Sequence, residues 1–291
     1  MYSAGFDIGG TNARLRVFDE ACAIVHEARA STREDSSPEA IAAKMAEMLG
    51  PAPPVDGVGV GIAGLLSADG RAVENSPNLG WRDVAFLDVL ERAIPGRRFV
   101  LANDLNAMLW GELQAGAVRG ATEVLAVYVG TGVGGAIVSD GRLVLGGGGK
   151  AGEIGHSKVV VGGRPCGCGG RGCVEAYAGG VHLEALVAAA APELDRDLAA
   201  ADAVADSDER VEAIWETATD YLAIVVANAC TLLNPSVLLI GGGVLENLEA
   251  YRLLFLRKLT PLIVEPARAD LEIKFGELDE AAVLGAALLA R

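Results

Sequence analysis

The sequence is short of positive charge. Its 291 residues include 24 lysines and arginines against 39 aspartates and glutamates, which gives a formal net charge of −15. A protein that wraps nucleic acid needs clustered basic residues to neutralise phosphates, and this chain does not supply them. We therefore expect no nucleic-acid partner, and we interpret the acidity chiefly as a determinant of solubility.

The sequence also lacks a long uninterrupted apolar run. Residues 221–233 form one of the longest apolar stretches, but they include Asn228 and Thr231 and fall short of the roughly 20 residues that a membrane-spanning helix requires. Residues 2–7 form a short apolar run that ends in an acid, and they have neither the basic start nor the long apolar segment of a secretion signal. These absences predict a cytoplasmic protein without a membrane partner.

Cysteine is scarce and odd in number. Five cysteines in a chain without a recognisable signal peptide argue against a disulfide framework, yet three of them lie within eight residues of one another. Cys166, Cys168 and Cys173, together with His156, supply three thiols and one imidazole, a set suited to a closed tetrahedral zinc site of the structural type. The Cys-x-Cys-x4-Cys spacing is not the commonest one in zinc fingers, so a redox dithiol or a chance cluster is the alternative.

Two stretches of the chain repeat one order of elements. In each stretch a predicted strand enters a turn of glycine and threonine, leaves as a second strand and reverses at an acidic turn; the first stretch covers residues 2–18 and the second covers residues 124–141. Hydrophobic periodicity and capping residues predict helices over residues 36–49, 84–94, 105–113, 175–190, 210–233, 245–259 and 279–290.

The repeat predicts an α/β protein of two duplicated lobes. The amino-terminal lobe would comprise residues 1–116, with the last helix, within residues 279–291, packing back on it. The carboxyl-terminal lobe would comprise residues 117–278 and carry the predicted zinc segment, residues 153–175. Each lobe would offer one phosphate loop to a shared cleft.

Glycine-rich turns follow three of the predicted strands. Glycine lets backbone N–H groups approach an anion closely, so such turns can bind phosphate. The first turn follows a strand that ends at Asp7, and it includes Gly9, Gly10, Thr11 and Asn12. The second turn includes Thr131 and Gly132, and the third is Gly241, Gly242 and Gly243. An ordinary tight turn explains each of them when it is read alone. Two turns of one kind in the two halves favour loops that hold a triphosphate, with the adenosine near the third turn.

Three further acidic residues stand where chemistry is expected. Asn103 and Asp104 end a predicted strand and precede a helix, where both residue types are favoured as caps. The carboxyl end of a strand is also where an α/β enzyme places a general base. Glu153 and Glu175 flank the predicted zinc segment, and rigidly held carboxylates accept hydrogen bonds well from sugar hydroxyls. A solvated loop acid and a first-turn helix acid are the alternatives.

Together these segments resemble the ROK family, named for repressors, open reading frames and kinases, within the actin and hexokinase-like fold. The resemblance runs through most of the chain. It is carried by Asp7-Ile8-Gly9-Gly10-Thr11, Gly61-Ile62-Ala63-Gly64, Ser76-Pro77-Asn78-Leu79-Gly80-Trp81, Asn103-Asp104-Leu105-Asn106-Ala107, Gly130-Thr131-Gly132-Val133-Gly134-Gly135, Ala151-Gly152-Glu153-Ile154-Gly155-His156, Cys166-Gly167-Cys168-Gly169, Gly172-Cys173-Val174-Glu175 and Leu284-Gly285-Ala286-Ala287.

The resemblance implies a two-lobed actin-like ATPase fold, of the ribonuclease H-like type, that transfers phosphate from ATP to a primary hydroxyl of a hexose. Glucose, giving glucose 6-phosphate, is the first expectation. An N-acetylhexosamine kinase or a non-catalytic sugar sensor is the alternative. ATP, Mg2+ and a structural Zn2+ are the implied cofactors, and a homodimer is the implied assembly.

The resemblance also implies individual roles, with Asp104 as the base that takes the proton of the sugar hydroxyl. The sugar would be held by Gly64, Asn78, Asn103, Asp104, Glu153, His156 and Glu175, and zinc by His156, Cys166, Cys168 and Cys173. The ATP phosphates would lie against Gly9, Gly10, Thr11, Asn12, Thr131 and Gly132, the adenosine near Gly241, Gly242 and Gly243, and the magnesium near Asp7.

Three positions depart from the usual pattern of the family. Asn12 stands where many members have lysine, Ala63 stands where proline is usual, and Leu105 stands where alanine is frequent. The repressors of the family resemble this chain after an added amino-terminal helix-turn-helix domain. Because the first strand is predicted to begin at Tyr2, which leaves no room for such a domain, we expect an enzyme.

Overall fold

The computed structural model describes residues 2–291. Contacts within the chain divide it into two compact units. The first unit extends to Gly120 and also includes Leu143–Ala151 and Glu277–Arg291, whereas the second comprises Ala121–Arg142 and Gly152–Gly276. The chain therefore leaves the first unit twice and returns to it twice. The return of the last helix was expected from the sequence, whereas the return at residues 143–151 was not.

The first unit is built on a five-stranded sheet. Its elements up to residue 115 are β1 (Ser3–Ile8), β2 (Asn12–Phe18), β3 (Ile24–Ser31), α1 (Pro38–Leu49), β4 (Gly57–Ile62), β5 (Leu65–Leu66), β6 (Val73–Ser76), β7 (Trp81–Val84), α2 (Phe86–Ala93), β8 (Arg98–Asn103) and α3 (Asp104–Ala115). The strand order is β3-β2-β1-β4-β8, in which β1, β4 and β8 are parallel and β2 is antiparallel to β1. A separate antiparallel sheet contains β5, β6 and β7.

Local sequence explains why α1 begins where it does. The Ser37 Oγ accepts a hydrogen bond from the Ala40 N–H (3.3 Å), and Pro38 occupies the first turn, where its missing N–H costs nothing. The helix buries Ile41 and Met45 completely, in the core that also contains the apolar side chains of β1 and β2. Full burial of such a side chain contributes about 1.5 to 3 kcal/mol.

The second unit repeats the sheet of the first. Its elements are β9 (Val124–Val129), β10 (Val133–Ser139), β11 (Arg142–Leu143), α4 (Glu175–Ala178), α5 (Gly180–Ala190), α6 (Leu198–Val204), α7 (Glu209–Leu233), β12 (Val237–Gly241), α8 (Gly243–Asn247), α9 (Glu249–Leu262), α10 (Glu265–Arg268) and β13 (Glu272–Phe275). The strand order is β11-β10-β9-β12-β13, with β10 antiparallel to β9 and with β9, β12 and β13 parallel. The predicted repeat of elements is therefore present as a repeated sheet topology.

The last helix, α11 (Ala281–Leu289), belongs to the first unit and packs on β1, β4 and α3. Its backbone approaches the sheet closely at Gly59 of β4, because a Cβ there would overlap the Ala286 carbonyl oxygen. Val283 and Ala286 are fully buried at this contact. Glycine in the strand thus allows the helix backbone to lie directly on the sheet.

The longest helix is α7, with 25 residues. It buries one side through Val211, Trp215, Leu222 and Val226. Neither α7 nor any other helix within residues 2–291 is long and apolar enough to cross a membrane.

The helix predicted over residues 175–190 is divided into α4 and α5. Gly179 between them is extended (φ −72°, ψ 144°). The Gly180 N–H that follows donates to the Gly130 carbonyl oxygen (2.8 Å) and not to a carbonyl of its own helix. A contact with a distant turn therefore breaks a helix that the local pattern predicted to be continuous.

The helix predicted over residues 245–259 is also divided, at Leu248, into α8 and α9. The Asp202 carboxylate accepts hydrogen bonds from the N–H groups of Ala250 and Tyr251 (both 2.9 Å). A side chain from α6 thereby caps the first turn of α9, so that a new helix starts there.

The sequence prediction was wrong or incomplete at several short elements. Val84, predicted to begin a helix, ends β7. The small sheet of β5 to β7 and the helices α6 and α10 were not predicted. Elements of two to seven residues are too short for the periodicity of buried positions to reveal them.

Candidate active site

Three candidate segments of the first unit start from one edge of its sheet. The register pairs Ile8 with Ile62 and Ile62 with Asn103, so the parallel strands β1, β4 and β8 end side by side. The first glycine turn follows β1, the segment with Gly64 follows β4, and Asp104 follows β8. The carboxyl edge of a parallel sheet is where α/β proteins bind their ligands.

The first glycine turn is held by contacts within the protein. The Gly9 N–H donates to the Asn12 carbonyl oxygen (3.0 Å), which closes the turn. Thr32, the residue after β3, donates its hydroxyl hydrogen to the Gly9 carbonyl oxygen (2.8 Å) and its backbone N–H to the Thr11 carbonyl oxygen (3.0 Å). The conformation of the turn is thus fixed from both of its ends.

Gly10, in the middle of this turn, touches the segment predicted to bind sugar. A Cβ at Gly10 would lie 2.5 Å from the Asn78 carbonyl oxygen, which is closer than real carbon atoms approach, so only glycine fits. The Asn78 residue itself is exposed. The predicted phosphate loop and the predicted sugar segment are therefore in direct contact within the first unit.

Asp7 precedes this turn on β1. Burial raises the pKa of the Asp7 carboxyl, Arg14 on the neighbouring strand lowers it, and Glu280 raises it again. Arg14 also forms an ion pair with Glu280 (3.3 Å), so its charge is shared between two acids. The negative charge of the buried Asp7 carboxylate is therefore only partly neutralised. A carboxylate of this kind beside a phosphate loop suits a hard divalent cation such as Mg2+.

Asn103 connects two of the predicted sugar-binding segments. Its Oδ1 accepts hydrogen bonds from the N–H groups of Leu105 (3.0 Å) and Asn106 (3.1 Å), which caps α3. Its Nδ2 donates to the Gly64 carbonyl oxygen (3.1 Å). The cap explanation is therefore correct for Asn103, and the same amide also holds the segment after β4.

Asp104 is the first residue of α3, at the carboxyl edge of the sheet. Its Oδ1 accepts a hydrogen bond from the Leu105 N–H (3.0 Å). The amino terminus of a helix favours negative charge on a nearby carboxylate. A carboxylate held in this way is suited to accept a proton from a substrate hydroxyl.

The second glycine turn lies in the second unit, between β9 and β10. The Gly130 N–H donates to the Gly132 carbonyl oxygen (3.0 Å), which closes the turn. The start of α5 contacts it from outside, because the Gly180 N–H donates to the Gly130 carbonyl oxygen (2.8 Å) and the Val181 N–H donates to the Thr131 carbonyl oxygen (3.1 Å). Thr131 is exposed at the tip of the turn.

Glu175, the first residue of α4, lies between this turn and the cysteine cluster. Its Oε2 accepts a hydrogen bond from the Val133 N–H (3.1 Å) and would have to move aside for a side chain at Gly132. Its Oε1 is 3.5 Å from the Cys166 sulfur and 3.9 Å from the His156 Nδ1. One carboxylate thus links the two predicted sites of the second unit.

The third glycine turn is packed tightly against the end of β9. Gly242 has a φ of +91°, and a Cβ there would lie 2.6 Å from the Val129 carbonyl oxygen. Its N–H donates to the Glu246 Oε1 (2.8 Å). The tight-turn explanation therefore accounts for Gly242, whereas the flanking Gly241 and Gly243 do not have a positive φ.

His156, Cys166, Cys168 and Cys173 form a cluster in which the possible ligand atoms all lie within 4.8 Å of one another. Ligands around a tetrahedral zinc, at about 2.3 Å for sulfur and about 2.1 Å for nitrogen, are roughly 3.6 to 3.8 Å apart. The Cys168 and Cys173 sulfurs are 3.6 Å apart, and the Cys166 sulfur is 3.6 Å from the His156 Nδ1. The four residues therefore fit a zinc ion.

Burial, backbone hydrogen bonds and a nearby lysine act differently on the thiols of the cluster. Burial raises the pKa of the Cys166 thiol to about 12, whereas a hydrogen bond from the Gly170 backbone lowers the pKa of Cys168. The Lys158 Nζ is 2.7 Å from the Cys173 sulfur. Three thiolates around one Zn2+ carry a net negative charge, which the Lys158 ammonium group would offset.

Glu153 completes the surroundings of His156. The His156 Nε2 is 3.7 Å from the Glu153 Oε2, on the side of the ring away from the cluster. Burial raises the pKa of Glu153, His156 lowers it, and Glu175 raises it. A metal-bound histidine usually has a carboxylate or carbonyl partner at its second nitrogen, and Glu153 stands at that position.

Sequence reasoning missed two polar side chains at these sites. Thr32 contacts a turn 23 positions earlier in the chain, and Lys158 contacts a cysteine 15 positions later. Lys158 lies in an irregular stretch without a periodic pattern. Thr32 continues the alternation of β3, in which Ala28 and Ala30 are less exposed than Arg29 and Ser31, so this alternation could have indicated that Thr32 is buried. The partners of both residues depend on tertiary structure.

The repeated sheet, with a glycine turn between the first two strands of each copy, places the protein in the class of two-lobed actin-like ATPases. A solved structure of a ROK family glucokinase from Streptomyces griseus, in complex with glucose and AMPPNP, matches it with a TM-score of 0.83 and 30% identity, over 100% of this chain and 99% of that one. The model of the ROK family matches residues 3–291, and the chain belongs to this family. The fold and the family expected from the sequence are thus confirmed.

Two relatives are named for different sugars. The glucokinase of Halalkalibacterium halodurans is 32% identical over 82% of this chain and 79% of its own length. The N-acetyl-D-glucosamine kinase of Yersinia pseudotuberculosis is 31% identical over 98% of this chain and 97% of its own length. Similarity of sequence therefore favours sugar kinases as a group.

Proposed function

We infer that this protein is an ATP-dependent hexose kinase that phosphorylates the primary hydroxyl of glucose and forms glucose 6-phosphate. The observation that carries the inference is the shared edge of the first sheet, from which the phosphate loop, the Gly64 segment and Asp104 all start. A phosphate loop in contact with a sugar segment, beside a carboxylate at a strand end, is what transfer to a hydroxyl requires.

Asp104 is the base in this proposal. It accepts the proton of the primary hydroxyl as the hydroxyl oxygen attacks the γ-phosphorus and the bond to the ADP oxygen breaks. The helix terminus that holds Asp104 keeps its carboxylate oriented. Phosphoryl transfer depends mainly on positioning and charge stabilisation, so the other residues act chiefly by holding the reactants in line.

We propose two sets of residues as candidates for hydrogen bonds to the sugar. In the first unit the candidates are Gly64, Asn78, Asn103 and Asp104, and in the second they are Glu153, His156 and Glu175. Asn103 contributes mainly by fixing Gly64, because its Oδ1 is used for capping α3. Glu153 and His156 are already paired, so a sugar hydroxyl there would meet an acceptor of fixed orientation.

The nucleotide is assigned to the glycine turns. We propose that the phosphates lie against Gly9, Gly10, Thr11, Asn12, Thr131 and Gly132, and the adenosine near Gly241, Gly242 and Gly243. Asp7 would lie close to Mg2+, which neutralises phosphate charge when it is bound with ATP. The poorly compensated Asp7 carboxyl supports this placement.

Zinc is proposed as a structural ion held by His156, Cys166, Cys168 and Cys173. Four protein ligands leave no open coordination position for catalysis. Its contribution would be to hold Glu153 and Glu175 in place, since both carboxylates lie within 4 Å of His156.

An N-acetylhexosamine kinase is the second candidate, favoured by the similarity to the Yersinia pseudotuberculosis enzyme. We further propose a cytoplasmic homodimer without nucleic-acid or membrane partners. The net charge of −15 supports the absence of nucleic acid. Light scattering coupled to gel filtration would test the dimer, and a mass near 29.9 kDa would contradict it.

A coupled ADP-release assay with magnesium, ATP and a panel of glucose, N-acetylglucosamine and N-acetylmannosamine tests the function. We expect the highest kcat/KM with glucose, and a loss of about 100-fold or more in kcat for Asp104→Asn with sugar binding retained. Asp197→Asn is the control, because the Asp197 carboxylate also accepts backbone hydrogen bonds at the start of a helix, but that helix is α6.

The outcomes separate the candidates. A preference for an N-acetylated sugar would replace glucose as the substrate. Sugar binding by calorimetry without any sugar-dependent ADP release would refute the kinase and favour a sugar sensor.

A further inference from the structure

The residue that fixes the first glycine turn is Thr32, which is completely buried. Few polar residues of this unit are buried to that degree. Thr32 has two hydrogen-bond donors, its hydroxyl and its backbone N–H, and both contact the same turn. Its hydroxyl donates to the Gly9 carbonyl oxygen (2.8 Å), and its backbone N–H donates to the Thr11 carbonyl oxygen (3.0 Å). The two bonds bracket Gly10.

These bonds determine which way the peptide groups of the turn face. In a trans peptide the carbonyl oxygen and the following N–H point in opposite directions. Because the Gly9 carbonyl oxygen points towards Thr32, the Gly10 N–H points away from it. Within residues 2–291 no acceptor engages the Gly10 N–H.

The orientation matters for an anion. A carbonyl oxygen facing a phosphate would repel it, whereas an N–H facing it attracts it. Thr32 holds the Gly9 carbonyl group on the side of the turn that faces Thr32. The Gly10 N–H, which belongs to the same peptide unit, therefore lies on the opposite side of the turn. Glycine at position 10 could otherwise rotate this peptide at little cost.

We propose that Thr32 is a positioning residue for the nucleotide phosphates, which acts by orienting the Gly9–Gly10 peptide of the phosphate loop. It touches neither reactant. The proposal rests on the assignment of this turn to the phosphates of ATP. It adds a residue outside every glycine motif, and it predicts an effect on nucleotide binding that exceeds the effect on sugar binding.

Thr32→Val tests the hydroxyl, because valine has nearly the same shape and keeps the backbone N–H. We expect KM for ATP to rise about tenfold, which corresponds to the loss of one buried hydrogen bond that orients a ligand group, while KM for glucose changes less than about twofold. Thr32→Ser keeps the hydroxyl and is expected to restore KM for ATP. Thr32→Ala serves as a second variant without the hydroxyl if the valine variant folds poorly.

Thr219→Val is the matched control. Thr219 is also completely buried and also donates its hydroxyl to a backbone carbonyl, that of Trp215 (2.7 Å), but it lies in α7 of the second unit. Both valine variants should lower the melting midpoint. Only Thr32→Val should change KM for ATP, and a similar change in Thr219→Val would reduce the role of Thr32 to general stability.

Direct binding separates this proposal from the proposed function. Calorimetry with magnesium and the non-hydrolysable AMPPNP measures nucleotide affinity without any sugar or turnover. Weaker AMPPNP binding in Thr32→Val, with recovery in Thr32→Ser, supports the proposal even for a wild-type protein that phosphorylates no sugar. Unchanged AMPPNP affinity in Thr32→Val overturns it even if the protein proves to be a glucokinase. A wild-type protein that binds no AMPPNP overturns both.

Discussion

The carboxylate of Glu175 accepts a hydrogen bond from the backbone N–H of Val133 (3.1 Å). This bond joins the segment that carries the cysteine cluster to the second glycine turn. Glu175 also lies 3.5 Å from the Cys166 sulfur, so one side chain is shared by both sites. A change at either site is therefore expected to affect the other.

Glu175→Ala should destabilise the protein by about 1 to 3 kcal/mol, because the Val133 N–H would lose its acceptor in a partly buried place. Glu175→Gln keeps one oxygen acceptor and should cost less. Denaturant unfolding of both variants measures the difference. Glu212→Ala, which removes an exposed acid from the first turn of α7, is the control. Equal costs for the alanine and glutamine variants would contradict the importance of this bond.

Purified protein should contain about one zinc ion per chain, as four convergent ligands imply. Cys173→Ser should remove the metal and lower the melting midpoint, because its sulfur is part of the cluster. Cys230→Ser is the matched control, since Cys230 is equally buried but lies outside the cluster. Elemental analysis gives the answer, and zinc-free wild-type protein would refute the site.

Gly10→Ala should impair the enzyme far more than Gly9→Ala. A Cβ at Gly10 would lie 2.5 Å from the Asn78 carbonyl oxygen, whereas a Cβ at Gly9 would meet only the Asn12 carbonyl oxygen, at an ordinary 3.7 Å. We expect Gly10→Ala to raise KM for both ATP and sugar, because the turn and the sugar segment must separate. Steady-state kinetics on the two variants tests this, and similar kinetics for both would contradict the contact.

Asp7→Asn should abolish activity yet stabilise the protein at neutral pH. Burial raises the pKa of Asp7 above 3.8, so the folded state binds this proton more tightly than the unfolded state. The stability that the protonated group contributes is present below pH 3.8 and is lost as pH rises through the folded pKa. The advantage of Asp7→Asn should therefore grow with pH across that window.

Thermal unfolding at several pH values, without nucleotide or magnesium, measures the advantage of Asp7→Asn. Asp56→Asn, at an exposed position, is the control and should show no such trend. A wild-type protein that is more stable than Asp7→Asn at pH 7 would contradict the argument.

Glu112→Gln should destabilise the first unit by about 1 to 3 kcal/mol. The buried carboxylate accepts hydrogen bonds from the Ala117 N–H at one oxygen (2.7 Å) and from the Glu277 and Leu278 N–H groups at the other (both 2.9 Å). An amide has only one acceptor oxygen, so its NH2 group would face an N–H on one side. Denaturant unfolding beside Glu47→Gln, an exposed control, tests this, and equal midpoints would contradict it.

Much of the site could be predicted from the sequence because its residues are neighbours in the chain. The glycine turns, the cap at Asn103 and the cluster of cysteines each occupy short segments, in which spacing alone limits the geometry. The repeat of strand, turn and strand was also visible, since alternation of buried positions is a local property. These features suggested the family and the duplication of one α/β lobe.

Other features could not be predicted because they depend on contacts between distant parts of the chain. Gly180 leaves the predicted helix to donate to Gly130, and Asp202 starts α9 from another helix. Local propensity contributes a few tenths of a kcal/mol per residue, which a tertiary hydrogen bond readily outweighs.

The sequence by itself determined which residues could bind phosphate, accept a proton or hold zinc, because these abilities belong to the chemistry of the side chains. Only the tertiary structure decided how those residues are oriented. The hydroxyl of Thr32 reaches Gly9, and the carboxylate of Glu112 joins Ala117 to Glu277, only after the sheet and α11 have packed. Such bonds are made between backbone groups and remote side chains, and no pattern of neighbouring residues encodes them.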